Sequence, residues 1–226
     1  MRTDIARYYS ELADVLRAMP VGLLARAADL LLDCRDRGAT IFIFGNGGSA
    51  ATASHIACDL AKGTRTDGVA PFRVVALTDN VPLMTAWGND TAYERIFAEQ
   101  LSPLIRTGDV VVAVSASGNS PNVVTAVELA RLAGAITIAL TGQTGGRLRR
   151  IADHTIRVPA SSIEQVEDAH LAIGHSLCVA LRQHMRQPRT TRARKTPRLV
   201  DDPAAMPAIA DLIAVEPEFT DDAATS

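Results

Sequence analysis

The sequence predicts an α/β protein with a three-layer, doubly wound parallel sheet of about five strands, preceded by a pair of helices. Short apolar, β-branched runs recur from residue 40 onward without regular polar alternation, as expected for strands that are covered on both faces. Helical stretches separate these runs. Repeated strand–helix alternation of this length requires right-handed crossovers between parallel strands.

The N-terminal segment, residues 1–38, reads as two helices. The first carries Tyr8, Leu12 and Leu16 at helical spacing, and the second, over residues 21–37, has its own apolar stripe. We expect this pair to pack on the domain that follows.

The sheet domain is predicted to cover residues 39–186. Its candidate strands are 40–44, 73–77, 109–114, 135–140 and 154–158. Its candidate helices are 50–62, 91–101, 121–133 and a long final helix over about 163–185. Residues 187–226 are first basic and then rich in Ala, Pro and acidic residues, which is typical of a disordered tail.

Composition excludes several classes of protein. Of 226 residues, 47% are hydrophobic, which is too many for a disordered chain. We find no apolar run near the roughly 18 residues that a membrane span needs, and no secretory signal. A net charge of −2 and 4% aromatic residues argue against a nucleic-acid partner. Three scattered cysteines fit a reducing cytoplasm better than a disulfide framework.

Two Gly/Ser loops each follow a predicted strand and open a helix. Their sequences are GNGGS at 45–49 and SASGNS at 115–120. Glycine lets a ligand approach the backbone closely, and a helix N-terminus directs unpaired N–H groups at an anion. Neither loop is a dinucleotide or nucleoside-triphosphate fingerprint. One such loop could be an ordinary turn, but two indicate phosphate or sugar-phosphate binding.

Five segments together resemble the sugar isomerase (SIS) domain of the phosphoheptose isomerases. They are GNGGSAATASH, WGNDTAYERIF, SASGNSPNVV, LTGQTGG and EDAHLAIGH, and the resemblance spans most of residues 1–186. It implies an aldose–ketose isomerase that interconverts sedoheptulose 7-phosphate and a manno-heptose 7-phosphate. It also implies a homotetramer with sites between subunits, and often Zn²⁺.

By motif position, the resemblance implies substrate contacts from both loops, from the Asn–Asp pair and from the last helix. These residues are Asn46, Gly47, Gly48, Ser49, Asn89, Asp90, Ser115, Ala116, Ser117, Ser120 and Glu167. It implies catalytic roles for Asp59, Glu167 and His175. The metal ligands it implies are His55, Asp59, Glu167 and His175.

The spacing of these residues raises a conflict. His55 and Asp59 lie four residues apart, on one helix face, and can meet one ion or one substrate carbon. Glu167 and His175 are eight residues apart, about 12 Å along a straight helix, which is too far for one ion. Either Glu167 precedes the regular helix, or the two residues serve sites in different subunits. His170 could replace Glu167, although an ordinary helix-surface role is an equal alternative.

Three positions depart from the family pattern. Asp59 stands where the family has Glu, Glu167 where it has Gln, and Ala116 where Thr is usual. A shorter acid changes proton-transfer geometry, and an added carboxylate strengthens cation binding while it repels an anionic enediolate. The first two changes together suggest a retuned site.

Three functions stay open at this point. The first is the isomerase, with Asp59 or Glu167 as base, His175 as acid and Zn²⁺ polarising the carbonyl oxygen. The second is a non-catalytic SIS protein that binds a sugar phosphate and regulates a protein partner, of the type that associates with the replication initiator. The third is an isomerase of a different phosphosugar.

Four further residues receive structural expectations. Trp87, Tyr93 and Phe97 are expected to pack in the core beneath the site. Cys58 is expected to be buried filler and not a nucleophile, because no positive neighbour is evident to lower its pKa.

Overall fold

A parallel sheet of five strands, in the order β2-β1-β3-β4-β5, forms the centre of the computed structural model, which describes residues 1–187. Its strands are β1 (Thr40–Gly45), β2 (Arg73–Ala76), β3 (Val110–Ser115), β4 (Ile136–Thr141) and β5 (His154–Arg157). All neighbouring strands pair in parallel. The predicted α/β fold with about five strands is confirmed. Residues 188–226, nearly all of the predicted tail, lie outside the described residues.

Eight α-helices surround the sheet within these residues. They are α1 (Arg2–Arg17), α2 (Val21–Asp36), α3 (Gly48–Cys58), α4 (Val81–Asp90), α5 (Ile96–Leu101), α6 (Pro121–Leu132), α7 (Leu148–Ile151) and α8 (Ile163–Arg186). A π-helical turn, Asp59–Gly63, continues α3, and a 3₁₀ turn, Tyr93–Arg95, precedes α5. None of the described helices is long and apolar enough to cross a membrane.

The two faces of the sheet pack into separate apolar cores. In β1, Ile41 and Ile43 join the core formed with α2, α3 and α8, whereas Phe42 and Phe44 join the core formed with α5 and α6. Successive side chains of a strand point to opposite faces, so a strand covered on both sides is apolar throughout. This burial explains why the central strands β1, β3 and β4 lacked polar alternation in the sequence.

The N-terminal helical pair packs against α8 and the edge of the sheet. The hydroxyl of Tyr8 donates to the Asp168 carboxylate at 2.6 Å, and the Gln165 amide donates to Glu11 at 2.9 Å. The hydrogen bond to Asp168 is the main cause that raises the pKa of Tyr8 to about 12. These contacts fix α1 on the outer side of α8.

Helices α3 and α8 run side by side in the same direction, in close contact. Gly48 faces Glu167 near the start of both helices, and Gly63 faces Cys178 further along both. At Gly174 a Cβ atom would lie 2.5 Å from Cγ1 of Ile56, a distance that real Cβ atoms do not adopt. The absence of a side chain at Gly174 therefore sets how closely the two helices approach.

The segment between β2 and β3 differs from its prediction. A helix was predicted over residues 91–101, but the chain forms α4 first, then the 3₁₀ turn and the short α5. Helix α4 was missed because it buries none of its residues and so has no apolar periodicity. Its start is set by Asn80, whose side chain accepts a hydrogen bond from the Leu83 amide at 3.2 Å.

The three aromatic residues and the cysteine that were predicted to be buried differ in their exposure. Phe97 is fully buried and stacks on Phe44 with ring centroids 5.0 Å apart, as expected. Trp87 is only partly buried, and Tyr93 is 60% exposed, so the prediction for Tyr93 is wrong. Cys58, expected to be buried, is exposed because it lies on the outer face of α3.

Candidate active site

The two Gly/Ser loops meet at the carboxyl edge of the sheet and enclose a small cavity of about 150 Å³. It is lined by Asn46, Ser49, Val114, Ser115, Ala116, Ser117, Ser120, Ile163 and Glu167. The hydroxyls of Ser115 and Ser120 lie 3.3 Å apart, and Ser49 and Ser115 are buried. Hydroxyl groups and the N-termini of α3 and α6 give this cavity the donors that a phosphate ester requires.

A second cavity of about 330 Å³ adjoins the first and shares Ala116, Ser117 and Ile163 with it. Its other walls come from the loop after β4 and from the segment that leads into α8: Gly142, Gln143, Thr144, Ala160, Ser161 and Val166. The two cavities together leave room for an extended polar molecule beside the serine loops.

The carboxylate of Glu167 lies directly over Gly48, at the start of α3. A Cβ atom on Gly48 would lie 2.5 Å from Oε1 and 2.6 Å from Oε2 of Glu167, so a larger residue there would displace this carboxylate. The positive end of the α3 dipole favours an anion at this position. Glu167 therefore introduces a negative charge into the cavity that the loops build for an anionic ligand.

A hydrogen-bond network joins the two loops, and neither Asn122 nor Tyr93 was predicted to belong to it. The Asn46 and Asn122 side chains exchange two hydrogen bonds, at 2.9 and 2.8 Å, and the Tyr93 hydroxyl donates to Asn46 at 3.2 Å. Asn122 is 1% exposed and also accepts a hydrogen bond from the Val123 amide at 2.9 Å. An asparagine just after the Ser-Pro that opens α6 was the available signal.

Two histidines and an acid come together about two to three helical turns beyond the loops. Nε2 of His55 lies 3.0 Å from Nε2 of His175, and Oδ2 of Asp59 lies 3.5 and 3.7 Å from these two nitrogens. His55 and His175 are about half exposed, and Asp59 is 27% exposed. We call these three residues the His–Asp–His triad. All three belong to one chain and are accessible to a ligand.

Glu167 does not reach the triad within this chain. It lies in the second turn of the continuous helix α8, so the interpretation that it precedes the regular helix is wrong. Because α3 and α8 run in parallel, Glu167 stays beside Gly48 while His175 meets His55. The structure thus separates the four residues assigned to one metal site into a triad and a single carboxylate at the loops.

Asn89 and Asp90, also predicted to contact the substrate, lie at the end of α4. Both are exposed, and the Asn89 amide donates to the Asp90 carboxylate at 2.8 Å. Neither residue lines the cavity between the loops. Because α4 stands outside the core, the pair faces solvent in the single chain.

His170 is fully buried, so neither the helix-surface role nor the role of a substitute for Glu167 applies. The carbonyl of Thr141 is near the ring, but neither ring nitrogen makes a hydrogen bond of regular geometry within the described residues. Burial lowers the pKa of His170 to about 4, and the Thr141 carbonyl opposes this shift. The imidazole is therefore neutral at pH 7 and lies in the interior of the protein.

Comparison with known proteins identifies the family. The SIS domain model matches residues 7–142. The phosphoheptose isomerase of Rhodospirillum rubrum is 43% identical over 155 residues, which cover 69% of this chain and 82% of that protein. The chain belongs to the phosphoheptose isomerase family.

Other relatives support the same assignment. The phosphoheptose isomerase of Aquifex aeolicus is 36% identical over 79% of this chain and 94% of its own. The structure of phosphoheptose isomerase GmhA from Neisseria gonorrhoeae matches with a TM-score of 0.75 at 31% identity, and covers 80% of this chain and 98% of that one. The resemblance drawn from the sequence motifs is confirmed, and the fold is that of the family.

Loss of the amide pair should weaken the junction of the two loops. We expect Asn122→Ala to lower the free energy of unfolding by about 1–3 kcal/mol, because it leaves the buried side of Asn46 unsatisfied. Thr125→Ala on the same helix, whose hydroxyl bonds only to the Pro121 carbonyl, should change it by less than about 0.5 kcal/mol. Urea unfolding measures both. Equal effects of the two variants would contradict a specific role for Asn122.

The buried His170 should make the protein sensitive to acid. Between its ordinary pKa of 6.5 and about 4 in the folded protein, only the unfolded chain takes up a proton, so stability is complete above pH 6.5 and is lost as the pH falls to 4. The loss amounts to about 3 kcal/mol.

His170→Leu should therefore flatten the dependence of unfolding free energy on pH in this range, and His184→Leu, at an exposed position, should not. The measurement is urea unfolding at half-unit pH steps. A slope unchanged by His170→Leu would show that other groups cause the acid sensitivity.

Proposed function

We propose that the protein is an aldose–ketose isomerase of a sugar phosphate, with sedoheptulose 7-phosphate and D-glycero-D-manno-heptose 7-phosphate as the substrate pair. The observation that carries the proposal is the placement of two chemically different groups along one pair of parallel helices. The serine loops lie at the start of α3, and the His–Asp–His triad begins seven residues later, about 10 Å along the axis. A heptose 7-phosphate likewise carries its phosphate and its reacting carbons at opposite ends.

The serine loops bind the phosphate in this proposal. Ser49, Ser115, Ser117 and Ser120 supply hydroxyl donors, and the backbone of residues 46–48 supplies N–H groups at the start of α3. The Asn46–Asn122 pair keeps both loops in place, which reduces the ordering that binding would otherwise require.

The triad performs proton transfer. A base removes the proton from the carbon next to the carbonyl, an enediol forms, and the proton returns to the neighbouring carbon. Asp59 is the base because it is the carboxylate beside the imidazoles, whereas Glu167 lies at the phosphate end. His175 donates a proton to the carbonyl oxygen and takes a proton from the hydroxyl of the neighbouring carbon as the new carbonyl forms there, so no proton or electron is gained or lost overall.

The triad also fits Zn²⁺. Two imidazole nitrogens and one carboxylate oxygen lie within 4.8 Å of one another, and catalytic zinc takes three such ligands and leaves one position open. Tetrahedral zinc with bonds of about 2.0–2.1 Å separates its ligand atoms by roughly 3.3 Å, close to the observed 3.0, 3.5 and 3.7 Å. When bound through Nε2 of His175, the ion would supply Lewis-acid polarisation of the carbonyl oxygen in place of the proton donated by His175. Glu167 is not a ligand from the same chain in this assignment.

The assembly and location follow the family resemblance. We propose a homotetramer in which neighbouring subunits complete one another's sites. Asn89 and Asp90, on the exposed side of α4, would then contact a ligand bound at the site of a neighbouring subunit. A cytoplasmic location accords with three free cysteines, Cys34, Cys58 and Cys178. Relatives named as isomerases and the retained acid–imidazole set favour an enzyme over a sugar-phosphate-binding regulator.

Replacing the proposed base should abolish isomerisation. We expect Asp59→Asn to lower kcat for sedoheptulose 7-phosphate by about 100-fold or more, the usual contribution of a positioned base. His175→Ala should act similarly, and Asp59→Glu should keep measurable activity because it restores a carboxylate. Asp29→Asn, an exposed acid on α2, is the matched control.

The assay follows formation of the aldose from the ketose with the purified full chain. Wild-type rates in Asp59→Asn and His175→Ala would refute the proposed chemistry. If the wild type is fully active on another phosphosugar and the same variants lose that activity, the substrate assignment is wrong and the proposed mechanism stands. Inactivity of the wild type on all sugar phosphates that bind to it would favour the regulatory alternative.

Removing one imidazole should weaken zinc binding. Loss of a supporting group around a zinc ligand costs roughly 10–100-fold in affinity, so loss of the ligand itself in His175→Ala should cost about 100-fold or more. His184→Ala, further along the same helix, should leave the affinity unchanged. Competition with a chelator measures zinc affinity, and Co²⁺ absorption reports the ligand set. Equal affinity in both variants would show that the ion binds elsewhere.

A further inference from the structure

A third cavity, of about 430 Å³, lies at the amino edge of the sheet, opposite the serine loops. It is lined by Arg37, Gly38, Ala39, Thr40, Phe42, Arg73, Val75, Pro103, Leu104, Arg106, Thr107 and Asp109. These residues come from the segment after α2, from the first half of β1, from β2 and from the segment between α5 and β3. We call this cavity the basal groove. It shares no residue with either cavity at the serine loops.

The floor of the basal groove is apolar. Phe42 pairs with Val75 in the sheet register, so both side chains lie on the same face. Val75 is 40% exposed and Leu104 is 48% exposed, which is unusual for residues on a sheet floor and an adjoining wall. A flat apolar group could cover these side chains and gain the free energy of their burial.

The rim of the groove is positively charged. Arg37, Arg73 and Arg106 line it, and among the described residues Asp109 is the one that adds a carboxylate to the lining. Both oxygens of Asp109 already accept backbone amides, at 2.8 Å from Thr40 and 2.8 Å from Arg106. The carboxylate is thus committed to the fold, and the guanidinium groups give the rim an excess of positive charge.

One of these guanidinium groups is held in a fixed position. Arg37 donates to the backbone carbonyls of Asp33 and Gly108, at 3.1 and 2.9 Å. A guanidinium has five N–H donors, so donors remain for a ligand after these two bonds. A preorganised arginine binds an anion with less loss of side-chain freedom.

We propose that the basal groove binds a nucleoside phosphate, with the base on the apolar floor and the phosphates on the arginine rim. The cavity volume lies within the 300–1,000 Å³ range of small-molecule sites. A phosphorylated sugar is polar along its whole length and would leave Val75 and Leu104 uncovered. A nucleoside phosphate matches both parts, since arginine binds phosphate oxygens in a forked geometry and also stacks on planar rings.

ADP binding to the full-length protein, measured by isothermal titration calorimetry, tests the proposal. Adenosine alone and pyrophosphate alone should each bind at least tenfold more weakly than ADP, because each satisfies one part of the groove. Arg73→Glu and Arg106→Glu should each weaken ADP binding by tenfold or more. Arg26→Glu, an exposed arginine on α2 outside the groove, should not change it.

Several results would overturn the proposal. They are the absence of ADP binding at millimolar concentration, equal binding of pyrophosphate and ADP, and affinity that is unaffected by Arg73→Glu and Arg106→Glu. Loss of ADP binding in Ser115→Ala would assign the ligand to the serine loops instead. The isomerase assay separates the two proposals, because Arg73→Glu should leave turnover without nucleotide unchanged, whatever the outcome for ADP.

Discussion

The parallel, closely packed pair of helices α3 and α8 is the constraint on which the site depends. Gly174 lets α8 approach Ile56 of α3, and no larger residue fits at that distance. Because the two helices run in the same direction, residues that lie equally far from the two helix starts remain side by side. As a result, Glu167 stays with the loops, and His175 stays with His55 and Asp59. The proposed phosphate-binding end and the proposed proton-transfer end are thereby held apart by the two helices themselves, with no loop between them that has to be ordered.

Sequence reasoning recovered the sheet because burial on both faces leaves a direct trace, namely continuous apolar runs such as those of β1 and β3. It failed where an element buries nothing. Helix α4 has no buried residue, so its sequence carries no apolar period to detect. Tyr93 and Cys58 were misplaced for a related reason: residue type gives an average tendency to burial, whereas the direction of a side chain depends on where the neighbouring elements pack.

At the site, local spacing was sufficient to predict that His55 and Asp59 lie close together, since they are one helical turn apart. The conflict between Glu167 and His175 was also visible as a distance along one helix. Its resolution needed the direction of α3 relative to α8, which no local pattern specifies. Asn122 and His170 depend on contacts between distant segments and on complete enclosure. Such contacts leave no periodic signal in a single sequence.

The carboxylate of the triad is carried by the π-helical turn after α3, whereas its two histidines are carried by α-helices. Asp59 opens that turn, whereas His55 and His175 lie within regular α-helix. A π turn carries one residue more per hydrogen-bonded loop than an α turn, is rare, and often occurs at functional sites. Substitutions among residues 60–63 can therefore rotate or withdraw the carboxylate while both imidazoles stay in place. Evolution can thus adjust the reach of the acid, including that of an aspartate with one methylene fewer than glutamate, without rebuilding the phosphate loops.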